Sequence, residues 1–251
     1  MKKKVILCLS LIILVHVMSG CAGLGSEKVV KDEIPVKEEQ KASVETDEDT
    51  SIKENKERNK SVLIAYFSRI GNIDSEYKVD ATSSASVVIA GDSMLGNTEY
   101  MARLIQAEIS GDLHFIETKE KYSSHYDSTD NNKLDVQTNI EHRENARPEL
   151  VGEISNMEDY DVVFLGFPNW WNDFPMAVYS FLDEYDLSGK KVYLFNTSGG
   201  GGAANTLKTI QELEPNADIN ENILTVSHFD FDNFDEDDVK DWMEEIEYEK
   251  N

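Results

Sequence analysis

Cysteine is almost missing from this chain: Cys8 and Cys21 are the only two in 251 residues, and both lie near the start. That excludes a structural disulfide or a cysteine-based metal site in the remainder. Basic residues are scarce too, with 24 Lys and Arg against 49 Asp and Glu and a formal net charge of −25. No basic stretch follows the extreme N-terminus, which argues against nucleic acid as a partner. The acidic surface reads first as a solubility device, ahead of any role in steering a basic partner. The five histidines are scattered without the pairing of a zinc site. The acidic string at residues 230–236 lacks the glycine and ligand spacing of an EF-hand loop. Hydrophobic residues, at 40%, are ordinary, so the chain can fill the core of one generous domain or two small ones.

What the chain does carry begins with an address. Lys2, Lys3 and Lys4 precede an almost wholly apolar run at residues 5–17, and Met18-Ser19-Gly20 set small residues before Cys21. These are the three regions of a secretory signal, and the apolar run is shorter than the roughly 20 residues of a spanning helix. Met18-Ser19-Gly20-Cys21 resembles a bacterial lipobox, with Met where Leu is usual. The resemblance implies that residues 1–20 are removed and that Cys21 is acylated, tying the protein to the extracytoplasmic face of a membrane. The plainer reading is an ordinary signal peptide with an incidental cysteine. Residues 21–60 turn to Lys, Glu, Asp, Ser and Thr without apolar periodicity, as expected of a disordered tether. Such a tether spans on the order of 30 Å.

From Ser61 onward short apolar runs alternate with helical patterns. Val62-Leu63-Ile64-Ala65-Tyr66-Phe67, Asp161-Val162-Val163-Phe164-Leu165-Gly166 and Lys191-Val192-Tyr193-Leu194-Phe195-Asn196 are continuous enough to be parallel strands buried on both faces. Leu113-His114-Phe115-Ile116 and residues 219–226 complete five strands. Met101, Leu104, Ile105 and Ile109 share one face of a helix that opens at Asn97. Further helices are expected at residues 127–143, 175–183, 203–213 and 235–247. The alternation predicts an α/β domain over residues 61–251, its parallel sheet covered on both sides.

In such sheets ligands bind beyond the carboxyl ends of the strands. Three loops there are unusual: Tyr66-Phe67-Ser68-Arg69 resuming at Gly96-Asn97-Thr98-Glu99, then Gly166-Phe167-Pro168-Asn169-Trp170-Trp171, then Asn196-Thr197-Ser198-Gly199-Gly200-Gly201-Gly202. In this order they resemble the flavodoxin-like family, in particular a bacterial branch carrying Y-F-S-R, G-N-T-E, G-x-P-x-W-W and T-S-G-G. The resemblance implies a three-layer sandwich with a five-stranded sheet in order 2-1-3-4-5, FMN as cofactor, and electron transfer to an unidentified redox partner or small acceptor.

The residues fit that chemistry individually. A helix N-terminus with hydroxyl donors can grip a phosphate, which selects Ser68, Asn97 and Thr98, with Arg69 as the nearby cation. Taken alone, the same residues make only a turn and a helix cap. Trp170 and Trp171 offer an apolar wall to a flavin ring, Pro168 fixing the backbone ahead of them and Asn169 between; the alternative is core filler. Thr197, Ser198, Gly199 and Gly200 let backbone N–H groups approach the ring's polar edge, or form a plain flexible turn. The surplus negative charge would hold the flavin's potential below that of free FMN.

Residues 70–95 are a departure from the family pattern, an insertion between strand and helix. Gly71-Asn72 imitates the helix start but lacks a following Thr, and Val87-Val88-Ile89-Ala90 is a candidate strand within the insertion. Val88-Ile89-Ala90-Gly91-Asp92-Ser93-Met94 imitates the nucleophile block of GDS-type esterases, with Ser93 as nucleophile. The Asp-x-x-His that would supply the base is missing, since Thr225 stands three residues before His228. The other rival is a flavodoxin-shaped binding module without FMN.

Overall fold

Strand β1 (Val62–Tyr66) is buried at every position, and its side chains divide between two cores. Leu63, Ala65 and Phe67 join one apolar cluster, while Val62, Ile64 and Tyr66 join the other. Strands β7 (Val162–Pro168) and β8 (Lys191–Ser198) do the same, Val163, Leu165, Val192 and Leu194 on one side and Phe164, Tyr193 and Phe195 on the other. A strand with apolar packing on both faces has no reason to alternate, hence the unbroken apolar runs. The computed structural model describes residues 61–74, 87–90, 93–125 and 133–249, all within the unit Asn55–Asn251. The expected signal peptide at 1–20, Cys21 and the tether to residue 60 lie outside the described residues, as do 75–86 and 91–92 of the insertion.

With β4 (Asp112–Phe115) and β10 (Leu224–Ser227), the sheet runs β10-β8-β7-β1-β4, all pairs parallel. Numbered by their order in the chain, these five strands are arranged 2-1-3-4-5, as the resemblance implied. Helices α1 (Asn97–Ile109) and α5 (Glu236–Glu245) cover one face through Met101, Ala102, Ile105, Val239, Trp242 and Met243. Helices α2 (Leu134–Glu144), α3 (Met176–Glu184) and α4 (Thr206–Leu213) cover the other through Leu134, Ala177, Val178, Phe181 and Ile210. Helix α1 starts after Gly96, not after Gly71-Asn72, and ends at Ser110 in the left-handed conformation. Its first turn carries Glu99, paired with Arg103 at 2.7 Å one turn on. Helix α5 opens with a capping box, Asp235 accepting from Asp237 N–H and Asp238 reaching back to Asp235 N–H.

The last strand differs from the expectation of one segment over 219–226. It is split into β9 (Asp218–Ile219) and β10, both paired with β8. The cause is local. Asn220 accepts from the N–H of Asn222 at 2.9 Å, an Asx turn that competes with the ladder. The insertion contributes an antiparallel hairpin, β2 (Val87–Ala90) against β3 (Ser93–Gly96), which leads directly into α1 and places Ser93 in a strand. A second small pair joins β5 (Glu117–Thr118) to β6 (Leu150–Val151).

Candidate functional site

Three strand ends are stitched together at the carboxyl edge of the sheet. Thr98 in the first turn of α1 and Thr197 near the end of β8 are buried, with their hydroxyl oxygens 3.1 Å apart. Asn169, just past β7, donates its N–H to the Thr197 carbonyl at 2.8 Å and its side-chain amide to the Gly202 carbonyl at 2.6 Å. Asn196 donates to the same carbonyl at 3.0 Å and accepts from Thr225 of β10 at 2.6 Å. Residues from positions 98 to 225 thus meet in one place because every parallel strand ends at the same side.

The first loop is tight. A Cβ built on Gly96 would lie 1.8 Å from the Ser68 hydroxyl oxygen, so only glycine lets the end of β1 and the start of α1 approach this closely. Ser68, Asn97 and Thr98 are all buried there. Arg69 is buried as well, but its guanidinium donates to the Ser124 carbonyl at 2.7 Å, so at least one arm of the expected cation holds a neighbouring loop. Asn72, expected only as a false helix start, is the lock of this region. Its amide donates to the carbonyls of Ser68 and Ile116 at 2.9 and 3.0 Å, and its oxygen accepts from the N–H and hydroxyl of Thr118 at 2.7 and 3.0 Å. The Gly-Asn pair was the one local signal for it, since Gly71 takes φ 88° to turn the chain.

The two tryptophans behave differently from one another. Trp170 and Asp173 exchange backbone hydrogen bonds of 3.0 Å each, and Trp171 and Asn172 between them have φ 57° and 63°, the signature of a type I′ turn. Pro168 ends β7 opposite Thr197 and leads into this turn. The Trp170 ring stands edge-on to Phe67 and Tyr122, with centroids 5.2 and 5.5 Å away. Trp171 is 41% exposed and donates its indole N–H to the Thr138 hydroxyl of α2 at 3.0 Å. The expected flat wall is therefore one tryptophan packed into the body and one presented to solvent. Asn172 accepts from the N–H of Asn205, tying the turn to the glycine loop.

In that loop Ser198 is buried, and its hydroxyl accepts the N–H groups of Gly200 and Gly202 at 3.2 and 3.0 Å. The Gly200 N–H is thus already engaged within the loop, where the sequence had offered it to a ligand. Gly199 and Gly200 are exposed, with open space where a side chain would be.

Tyr122 and Glu141 had no sequence signal, being 19 residues apart in unrelated segments. The Tyr122 hydroxyl donates to the Glu141 carboxylate at 3.0 Å. Burial pushes the Glu141 carboxyl up to about 7 against the lowering effect of that hydrogen bond, and burial raises the Tyr122 phenol far more. Tyr66, at the end of β1, is pushed up to about 12, first by burial and then by Glu99.

The family described as Flavodoxin matches residues 86–246. A candidate flavoprotein from Bacteroides eggerthii is similar at 25% identity, with 76% of this chain and 100% of that one covered and a TM-score of 0.57. Another, from Bacteroides uniformis, is similar at 23% identity, with 74% and 99% covered and a TM-score of 0.55. A flavoprotein from Lactobacillus acidophilus in complex with FMN is similar at 22% identity, with 73% and 98% covered and a TM-score of 0.42. No curated protein sequence is significantly similar to the chain. The matched stretch runs from the hairpin before α1 through the whole of α5, and on that match the chain belongs to the flavodoxin family.

Proposed function

We propose that this protein binds FMN at the carboxyl edge of its sheet and passes electrons through it, while acylated Cys21 holds it at the outer face of a membrane. The observation that carries the reading is the contact between Thr98 and Thr197, 3.1 Å apart, beside a Ser68 hydroxyl seated against Gly96. It brings the hydroxyl groups of α1 and β8 together at the positive end of α1, a helix of 13 residues. Those are the donors a phosphate requires. The exposed indole of Trp171 and the open backbone at Gly199 and Gly200 lie on loops tied to the same place, and they suit a flat aromatic ring with a polar edge.

In this reading Ser68, Asn97 and Thr98 hold the phosphate, with Arg69 bracing the loop beside it. Trp170 supports Trp171 as the ring's apolar side, and Thr197 to Gly200 border its polar edge. Bound FMN supplies one- or two-electron chemistry, and the chain supplies position, exclusion of water and a negative field. Membership in the flavodoxin family supports this choice of cofactor.

Titrating the purified protein with FMN tests the cofactor. The expected result is saturable binding near one flavin per chain, at about 1 µM or tighter, with quenched tryptophan fluorescence and a shifted visible spectrum. An unchanged spectrum and unquenched tryptophans would leave a flavodoxin-shaped module without flavin. For the anchor, Cys21→Ser is expected to move the protein from the membrane fraction to the soluble one, as stable attachment needs more than one acyl chain on that residue. Unaltered fractionation would overturn the lipid anchor.

A further inference from the structure

Helix α2 is joined to both tryptophans. Its residues Leu134, Thr138 and Glu141 follow i, i+4, i+7 spacing and so lie along one stripe. Thr138 is buried, and its hydroxyl donates to the Leu134 carbonyl at 2.8 Å. That use of the proton leaves the oxygen to accept the indole N–H of Trp171. One turn further, Glu141 takes the hydroxyl of buried Tyr122, whose ring stands at 89° to Trp170 with centroids 5.5 Å apart.

The tryptophan turn needs such a support. A bulky side chain at φ 57° is strained, and Trp171 is too exposed for burial to hold it there. Helix α2 needs the turn in return. Only Leu134 and Thr138 are buried along it, so contacts through polar side chains carry much of its attachment to the sheet. Gln137 adds one by accepting from Ser123 N–H at 2.9 Å.

We propose that α2 is a clamp on the ring-binding side of the site, Thr138 positioning Trp171 directly and Glu141 positioning Trp170 through Tyr122. The inference rests on the FMN reading for its ligand, but the positioning exists without it. Because the same bonds hold the helix and the tryptophans, a ring seated on the turn and an ordered α2 favour one another.

Thr138→Val keeps the shape and removes the acceptor, Thr138→Ser restores it, and Tyr122→Phe removes the hydroxyl that reaches Glu141. Three readouts apply to the full chain: the Trp171 indole N–H resonance without flavin, FMN affinity, and amide exchange along residues 134–144 with and without FMN. Thr138→Val is expected to shift that resonance and to weaken FMN about tenfold, the equivalent of about 1.4 kcal/mol. It is also expected to abolish the slowing of α2 exchange on FMN binding, with Thr138→Ser close to wild type in all three. Wild-type affinity in both Thr138→Val and Tyr122→Phe would overturn the clamp and leave the FMN reading standing. Should Thr138→Val fail to fold, Tyr122→Phe decides alone, unchanged affinity and α2 exchange counting against the proposal. A wild-type protein that takes up no FMN would overturn the cofactor reading and the clamp's ligand with it. The shifted indole resonance would then still identify Thr138 as the support of Trp171.

Discussion

Asn72 accepts two hydrogen bonds from Thr118, from its N–H at 2.7 Å and its hydroxyl at 3.0 Å, so one carboxamide joins the loop after β1 to β5. The same side chain holds the Ser68 carbonyl. Replacing it with Ala leaves two carbonyls, an N–H and a hydroxyl without this partner, at about 2–4 kcal/mol in stability. Thr118→Ala, which removes one donor and leaves a bond to the backbone, is expected to cost about 1 kcal/mol. Urea unfolding followed by circular dichroism measures both, and equal losses would contradict the assignment of Asn72 as the centre of the network.

At Gly96 the constraint is space, because its φ of −71° is open to any residue. Gly96→Ala puts a methyl group where the Ser68 hydroxyl sits, and the loop after β1 has to move. The expected loss is about 1–3 kcal/mol in stability, and about tenfold or more in FMN affinity, the equivalent of about 1.4 kcal/mol or more, because the phosphate donors are displaced. Ser68→Ala in the same chain removes the colliding oxygen. The double variant should therefore recover part of the stability and none of the affinity, a non-additivity that denaturation and FMN titration read separately. Equal stability of Gly96→Ala and the double variant would show that the two residues do not collide.

Glu141 makes stability depend on pH in a defined direction. Its carboxyl titrates at about 7 in the folded chain and near its ordinary 4.5 in the unfolded one. Between these values the folded state binds more protons, so stability falls as pH rises from about 4.5 to about 7 and levels off above. Glu141→Gln keeps an acceptor for Tyr122 and removes the titration. With the partial exposure of the carboxyl discounted, the variant should gain about 1–2 kcal/mol relative to wild type between pH 4 and pH 8. Denaturant curves at the two pH values check this, and parallel behaviour of both proteins would rule out a buried, protonated Glu141.

The sheet was legible because a strand packed on both faces writes its environment into its own residues. Val62 to Tyr66, and the runs opening at Val162 and Val192, needed no knowledge of neighbours to be recognised as buried. Gly96-Asn97-Thr98 marked the start of α1 for a similar reason, since the close approach to Ser68 admits only glycine and the apolar stripe of the helix follows at once. Apolar content alone predicts one continuous last strand, and the interruption between β9 and β10 coincides with the local bond that the Asn220 side chain accepts from Asn222.

The site was legible in part. Its residues lie where motif order put them, and the meeting of Thr98 with Thr197 follows from parallel strands ending on one side. Arg69, expected as a ligand's cation, has one arm on the Ser124 carbonyl, a partner 55 residues away that no local pattern shows. Trp170 and Trp171, adjacent in sequence and read as one wall, are separated by a left-handed turn into a packed ring and an exposed one.

By itself, then, the sequence determined the α/β alternation, the strand and helix starts, and which loops gather at the carboxyl edge, all of which depend on apolar periodicity and on glycine within a short window. Tertiary structure alone decided which polar groups are partners: Asn72 with Thr118, Tyr122 with Glu141, Trp171 with Thr138. Hydrophobic burial is non-directional and can be read from one chain segment at a time. A hydrogen bond requires a donor and an acceptor within about 3 Å, and only the folded chain brings together residues as distant in sequence as these.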